Sequence, residues 1–278
     1  MMVAFDSRFY IPGKGTMPRK DLKDIQSESD PRNLPIDKVG VKDISYPVVV
    51  LDRAEGRQHT VARVNMYVDL PHNFRGTHMS RFIEILNRYQ DGISTLNIRE
   101  ILDEMKAALS ARNAHFEIDF PYFITKEAPV SREKAKMEYR CKLSASSFDD
   151  FYVLEVSVPV LSLCPCSREI SEYGAHNQRS IITITIKARE RIWIEDVIAI
   201  AESAASSDIY SILKREDEKY ITEKSYANPM FVEDMVRSAA ERLMKKDGIL
   251  WFSVESENME SIHNHSAYAR IEMDLNKG

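Results

Sequence analysis

The chain reads as an α+β protein made of two copies of a ββααββ unit, with antiparallel sheets and paired helices on one face. Three observations predict this. Strict apolar alternation marks strands in pairs, apolar residues at helical spacing mark helices between the pairs, and the whole order occurs twice. Each half is on the order of 100 to 130 residues, an ordinary domain size.

Residues 1–39 are polar, carry Pro12, Pro18, Pro31 and Pro35, and are expected to form an irregular arm. Regular structure should begin near Gly40, so the first module is placed at 40–146 and the second at 147–278. Val48 to Leu51 is a short apolar run. From Val61 to Leu70 the chain alternates, with Ala62, Val64, Met66, Val68 and Leu70 on one face and Arg63, Asn65, Tyr67 and Asp69 on the other. Met79, Phe82, Ile83 and Leu86 then fall at helical spacing. After Asp91-Gly92 a second helix carries Ile98, Ile101, Leu102, Met105 and Leu109, with Ser94 or Thr95 as its expected cap. Strands return at Phe116–Phe120 and Met137–Leu143.

The second half repeats the order. Strands are expected at Tyr152–Val160 and Ile181–Ile186, helices at Ile194–Ile212 and Val232–Lys246, and closing strands at Ile249–Val254 and Ala267–Leu275. Cys141 sits in an alternating strand and reads as a small buried hydrophobe. His59, His72 and His115 lie near strand ends, where surface or capping roles are commoner than metal ligation.

Composition narrows the function. No apolar run approaches the roughly 18 residues that span a bilayer. The start of the chain lacks a hydrophobic signal core, so a cytoplasmic location is expected. The net charge of −5 argues against general nucleic-acid binding, although a local arginine cluster could still hold a phosphorylated small molecule. Neither G-x-x-x-x-G-K-[ST] nor G-x-G-x-x-G is present, which disfavours Walker-type ATPases and standard dinucleotide-binding enzymes.

Chemistry concentrates between Ser162 and Ser180, in S-L-C-P-C-S-R-E-I-S-E-Y-G-A-H-N-Q-R-S. Cys164 and Cys166 flank a proline that stiffens the segment, and His176 follows. Thiolate and imidazole suit borderline divalent metals. A C-x-C pair alone leaves that reading open. The late His263-Asn264-His265 and the acids from Glu216 to Glu233 strengthen it, because a mixed Cys/His/carboxylate set is typical of sites that keep a place for a catalytic water. Lys214 to Lys219 would ordinarily be a solvated helix end, and Glu233 an acid favoured by the N-terminal dipole of its helix.

With these stretches assembled, the chain resembles the type IB GTP cyclohydrolase family. The resemblance rests on S-L-C-P-C-S-R-E-I-S, G-A-H-N-Q-R-S, E-K-Y-I-T-E-K-S-Y-A-N-P-M-F-V-E-D and H-N-H-S-A-Y-A. In the first half it rests on I-D-K-V-G-V-K and R-G-T-H-M-S-R-F. It covers nearly the whole chain from Ile36. It implies tandem tunnelling-fold modules in a homo-oligomer, expected as a tetramer, with active sites at subunit interfaces. It implies a divalent metal (zinc or manganese, with iron a further candidate) held by Cys164, His176, His263 and Glu218. Cys166 would be the catalytic thiol, acting beside His176, and Glu233 would anchor the guanine edge. Which cysteine takes which role comes from the family, not from spacing.

The implied substrate is GTP and the implied product 7,8-dihydroneopterin triphosphate, on the route to folate or deazaguanine compounds, with no nucleic-acid or membrane partner. Arg168, Arg179 and Arg81 are candidates for the triphosphate. They are joined by Ser80 and His78 at a helix start that also follows Arg75. Three readings compete: a relative giving a cyclic phosphate, an NADPH-dependent nitrile reductase of the same fold, and a binding module whose metal only staples the fold.

Overall fold

The computed structural model describes residues 24–26, 28–89 and 91–275. Most of the expected arm therefore lies outside the described residues. Its last part lies against the segment before the first helix: Arg75 N–H donates to the Glu28 carbonyl, Gly76 N–H to the Gln26 carbonyl, and Gln26 Nε2 to the Thr77 carbonyl.

The first half runs β1 (Ile36–Asp52), β2 (Gly56–Leu70), α1 (Met79–Tyr89), α2 (Ile98–Leu109), β3 (Ala114–Glu127) and β4 (Lys134–Ser146). The second runs β5 (Tyr152–Leu163), α3 (Pro165–Ile170), β6 (Asn177–Ala188), α4 (Ile194–Ser203), β7 (Ser207–Asp208), α5 (Arg215–Ala227), α6 (Val232–Met244), β8 (Ile249–Asn258) and β9 (Ala267–Asp274). The ββααββ order thus occurs twice, with α3, β7 and α5 added to the second copy. Among the described residues no helix is long and apolar enough to cross a membrane.

All strand pairs are antiparallel and belong to one sheet, in the order β1-β2-β3-β4-β5-β6-β8-β9, with β7 beside β5. The halves are joined by β4 and β5, from Arg140 opposite Ser157 to Ala145 opposite Tyr152. The sequence left open how the strands of the two halves adjoin, because alternation shows which face of a strand is buried but not which strand lies beside it.

The apolar rows of the strands and the inner faces of the helices merge into one buried cluster running through both halves. Ala62, Val64, Met66, Val68 and Leu70 all lie in it or at its border, as their alternation requires. Each buried Val, Leu, Ile or Phe contributes about 1.5–3 kcal/mol relative to exposure. Cys141 is buried in the same cluster, and burial pushes its thiol well above the ordinary range. His115 is also buried, with Nδ1 2.7 Å from Ser146 Oγ, so it is not a surface residue.

Three expectations are corrected. β1 begins at Ile36 rather than Gly40, because register shifts on either side of Val39–Val41 let the irregular stretch keep pairing with β2. Neither Ser94 nor Thr95 caps α2. Asn97 precedes its first turn and turns its side chain back, accepting from Ser94 N–H and donating to the Gly92 carbonyl. Finally, α4 stops at Ser203 instead of Ile212. The small residues Ala204 to Ser207 are buried, and Ser207–Asp208 pairs with Leu161 and Val160 of β5.

Candidate active site

Strand β5 ends at Leu163, where Asn177 is its last partner on β6. The ladder continues one step further, because Cys164 N–H donates to the His176 carbonyl at 3.1 Å. Cys164 and His176 are therefore brought side by side by backbone pairing. Proline at the first position of α3 suits a helix start, and the preceding Cys164 takes the capping place. Its Sγ accepts from Ser167 N–H at 3.4 Å, and Ser167 Oγ in turn accepts from His176 N–H at 3.2 Å. The C-P-C segment is thus a short helix rather than a loop, and it leaves Cys166 exposed on the first turn.

Two further segments are tied to this end of the sheet. Met230 N–H donates to the Leu163 carbonyl at 3.0 Å, and Asn228 Nδ2 donates to the Ala205 carbonyl. The N-P-M turn is thereby anchored at the end of β5, and Glu233 on the first turn of α6 is delivered beside it. Met259 N–H donates to the Arg179 carbonyl, which holds the start of the 259–266 segment against β6. Glu260 Oε2 lies 3.9 Å from His176 Nδ1, and His263 is stacked on His265 at 5.0 Å.

The ordinary helix-start role falls to neighbours of the two acids singled out from sequence. Asp217, not Glu218, accepts from Lys214 N–H at the start of α5. Asp234, not Glu233, accepts from Phe231 N–H at the start of α6. Glu218 and Glu233 are both exposed. Among the described residues, no group of three or more His, Cys, Asp or Glu side chains is gathered in metal-binding geometry. The chain therefore pairs Cys164 with His176 and leaves Glu218 and His263 outside a closed set.

The donors present nonetheless fit a divalent ion. Cys164 and His176 are each partly exposed, and His176 Nδ1 is 2.9 Å from Gln178 Oε1, which leaves Nε2 for a ligand. Among the phosphate candidates, the Arg168 guanidinium lies over the Tyr226 ring at 4.8 Å, and Arg179 is exposed. Arg81 gives one donor to the Ala108 carbonyl at 2.7 Å, which supports a structural role for at least that contact. His78 Nε2 is 3.3 Å from Asp24 Oδ2, and Ser80 is exposed on α1. His78 and Arg81 line an open cleft with Thr77 and Ser110.

Gln178 and Glu260 were given no role from sequence. Gln178 could have been found by its spacing, because residues i and i+2 on an extended chain point to the same side and His176 precedes it by two. Glu260 carries no such signal.

Residues 22–269 match the family model described as type I GTP cyclohydrolase folE2. GTP cyclohydrolase FolE2 of Geotalea uraniireducens (strain Rf4) is 61% identical over 254 residues, covering 91% of this chain and 94% of its own. GTP cyclohydrolase FolE2 of Geobacter sulfurreducens is 56% identical over 257 residues, 92% of this chain and 100% of its own. Among solved structures, uricase from Arthrobacter globiformis aligns over 87% of this chain and 94% of its own, with TM-score 0.50 and 7% identity. A urate oxidase mutant from Bacillus sp. TB-90 aligns over 87% and 99%, with TM-score 0.50 and 10% identity. At such identities the likeness shows the fold alone, and that fold is the tunnelling fold.

Proposed function

The chain belongs to the type I GTP cyclohydrolase family, and from that membership we propose how its residues divide the work. The protein is a GTP cyclohydrolase of folate biosynthesis, a hydrolase that opens the guanine imidazole ring, releases formate and gives 7,8-dihydroneopterin triphosphate. Family membership replaces the nitrile-reductase and binding-module readings.

The family's dependence on a divalent metal extends to this chain, with zinc or manganese the favoured ions and iron a third. Cys164, His176, Glu218 and His263 would hold it. When bound, the ion supplies the Lewis acidity that makes water nucleophilic at neutral pH. Cys166, exposed beside Cys164, moves protons to and from the opened ring as general acid and base. The Glu233 carboxylate accepts two hydrogen bonds from the N–H edge of guanine, a pattern adenine does not offer. Arg168, Arg179 and Arg81, with His78 and Ser80, supply the donors that the triphosphate needs.

We assign the protein to the cytoplasm, where its three free thiols stay reduced. It acts as a homo-oligomer, in our reading a tetramer with its active sites between subunits. Among the described residues β1 and β9 are the outermost strands of the sheet, and only the bridge from Ile93 to Val50 covers part of the β1 edge. Exposed strand edges invite pairing with another chain, which supports this reading. Family membership carries the activity, and the observation that supports the division of roles is the hydrogen bond from Met230 to Leu163, which ties the segment before α6 to the strand end that presents Cys164.

The test is incubation of the metal-loaded protein with GTP, following formate release and pterin fluorescence after oxidation. Product mass separates the linear triphosphate from a cyclic phosphate. No formate from a metal-loaded, folded preparation would overturn the assignment.

A further inference from the structure

Beneath the C-P-C segment the buried face of β5 and β6 stops being aliphatic. Val158, Val160, Ile182 and Ile184 are fully buried, but so are Ser162 and Ser180, and Gln178 is only 6% exposed. Ser162 lies directly opposite Gln178 in the strand register. Buried polar groups are costly unless paired, so this row needs an explanation.

Its members are joined by hydrogen bonds that reach His176. Ser180 Oγ is 3.0 Å from Ser162 Oγ, Gln178 Nε2 donates to Ser162 Oγ at 2.7 Å, and Gln178 Oε1 faces His176 Nδ1 at 2.9 Å. With the amide oxygen facing it, a group that can only accept, Nδ1 carries the imidazole proton. With the amide reversed, its NH2 would face Nδ1, and the proton would move to Nε2. Glu260 Oε2, 3.9 Å from the same Nδ1, independently favours a proton there. We propose that Gln178, held by Ser162 and Ser180, is a positioning residue that fixes His176 as its Nδ1–H tautomer and turns the Nε2 lone pair outward to the divalent metal. This rests on the reading of His176 as a metal ligand.

The test uses the full chain labelled with 15N-histidine, metal-free and zinc-loaded, together with zinc affinity measured by chelator competition. The His176 signals should report Nδ1–H in both forms. Gln178→Leu should weaken zinc binding by about 10- to 100-fold. Gln178→Glu keeps both the size and an acceptor toward Nδ1 and should stay within a few-fold of the parent, so the contrast with Gln178→Leu, of similar size, reports the lost acceptor; a packing role predicts no such contrast. If Gln178→Leu does not fold, the tautomer in the unaltered chain and the Gln178→Glu affinity decide the matter. An Nε2–H tautomer in the metal-free parent, or unchanged zinc affinity in Gln178→Leu, overturns the inference alone. Unchanged zinc affinity in His176→Ala overturns the ligand reading beneath it as well.

Discussion

Cys164 and Cys166 stand one residue apart yet meet different surroundings. Cys164 is half-buried and accepts a hydrogen bond from Ser167, whereas Cys166 is exposed on the first turn of α3. That difference gives a sharp expectation. Cys166→Ala should lower GTP turnover by about 10²- to 10⁴-fold, the usual reach of general acid–base catalysis, while the bound metal remains at its original stoichiometry. Metal analysis alongside formate release checks it, and near-normal turnover would remove Cys166 from the mechanism. Glu233→Gln keeps one acceptor oxygen and loses the other, so one charge-assisted hydrogen bond goes at about 1.5–3 kcal/mol, roughly a 10- to 150-fold fall in kcat/KM for GTP. Steady-state kinetics with GTP would show it, and an unchanged kcat/KM would place the guanine edge elsewhere. At this scale the sequence showed the chemistry-bearing types well, because Cys, His and Glu stand out in polar stretches. Gln178 was legible only through its spacing of two from His176, because alternation by itself assigns such a core-facing strand position to packing. The sequence could not show that Asp217 and Asp234, rather than their neighbours, satisfy the helix starts.

Among the elements, strands with one buried face were legible and the segment after α4 was not. Ala204 to Ser207 are compatible with a helix, but Leu163 N–H takes Ser206 Oγ as its acceptor, and β7 forms instead. Asp208 on β7 receives Lys224 Nζ at 2.7 Å and Lys126 Nζ at 2.9 Å. Burial alone would raise its carboxyl, but the Lys224 hydrogen bond, the Lys126 charge and the Tyr210 hydroxyl outweigh it and hold the group well below the ordinary range. A depressed carboxyl stabilises the fold fully above its unfolded value near about pH 4, and loses that contribution as pH falls towards the folded value. Asp208→Asn should therefore cost on the order of 2–3 kcal/mol at neutral pH and flatten the acid side of the stability curve. Urea unfolding between pH 3 and 7 would reveal an unaltered acid slope if this is wrong. Gly40 gives a second expectation. A Cβ there would collide with the Met66 carbonyl across the β1–β2 pair, so Gly40→Ala should destabilise by about 1–3 kcal/mol. An unchanged urea midpoint would mean that the two backbones separate without penalty.

For the molecule as a whole, the repeated ββααββ order was legible because periodicity changes sharply between 2 and 3.6. The union of both halves in one sheet was not, since nothing in β4 or β5 names its neighbour. Light scattering should give particles at a multiple of 32.0 kDa, and specific activity should fall on dilution as subunits part. A fully active single chain would exclude shared sites. The junction at β4 and β5 has one more consequence. Separating the halves between Ser147 and Phe151 would strip six residues of each strand, Arg140–Ala145 and Tyr152–Ser157, of their partners and split a shared interior. A duplicated pattern in sequence has thus become a single melting body: calorimetry should record one transition, and either fragment made alone should aggregate.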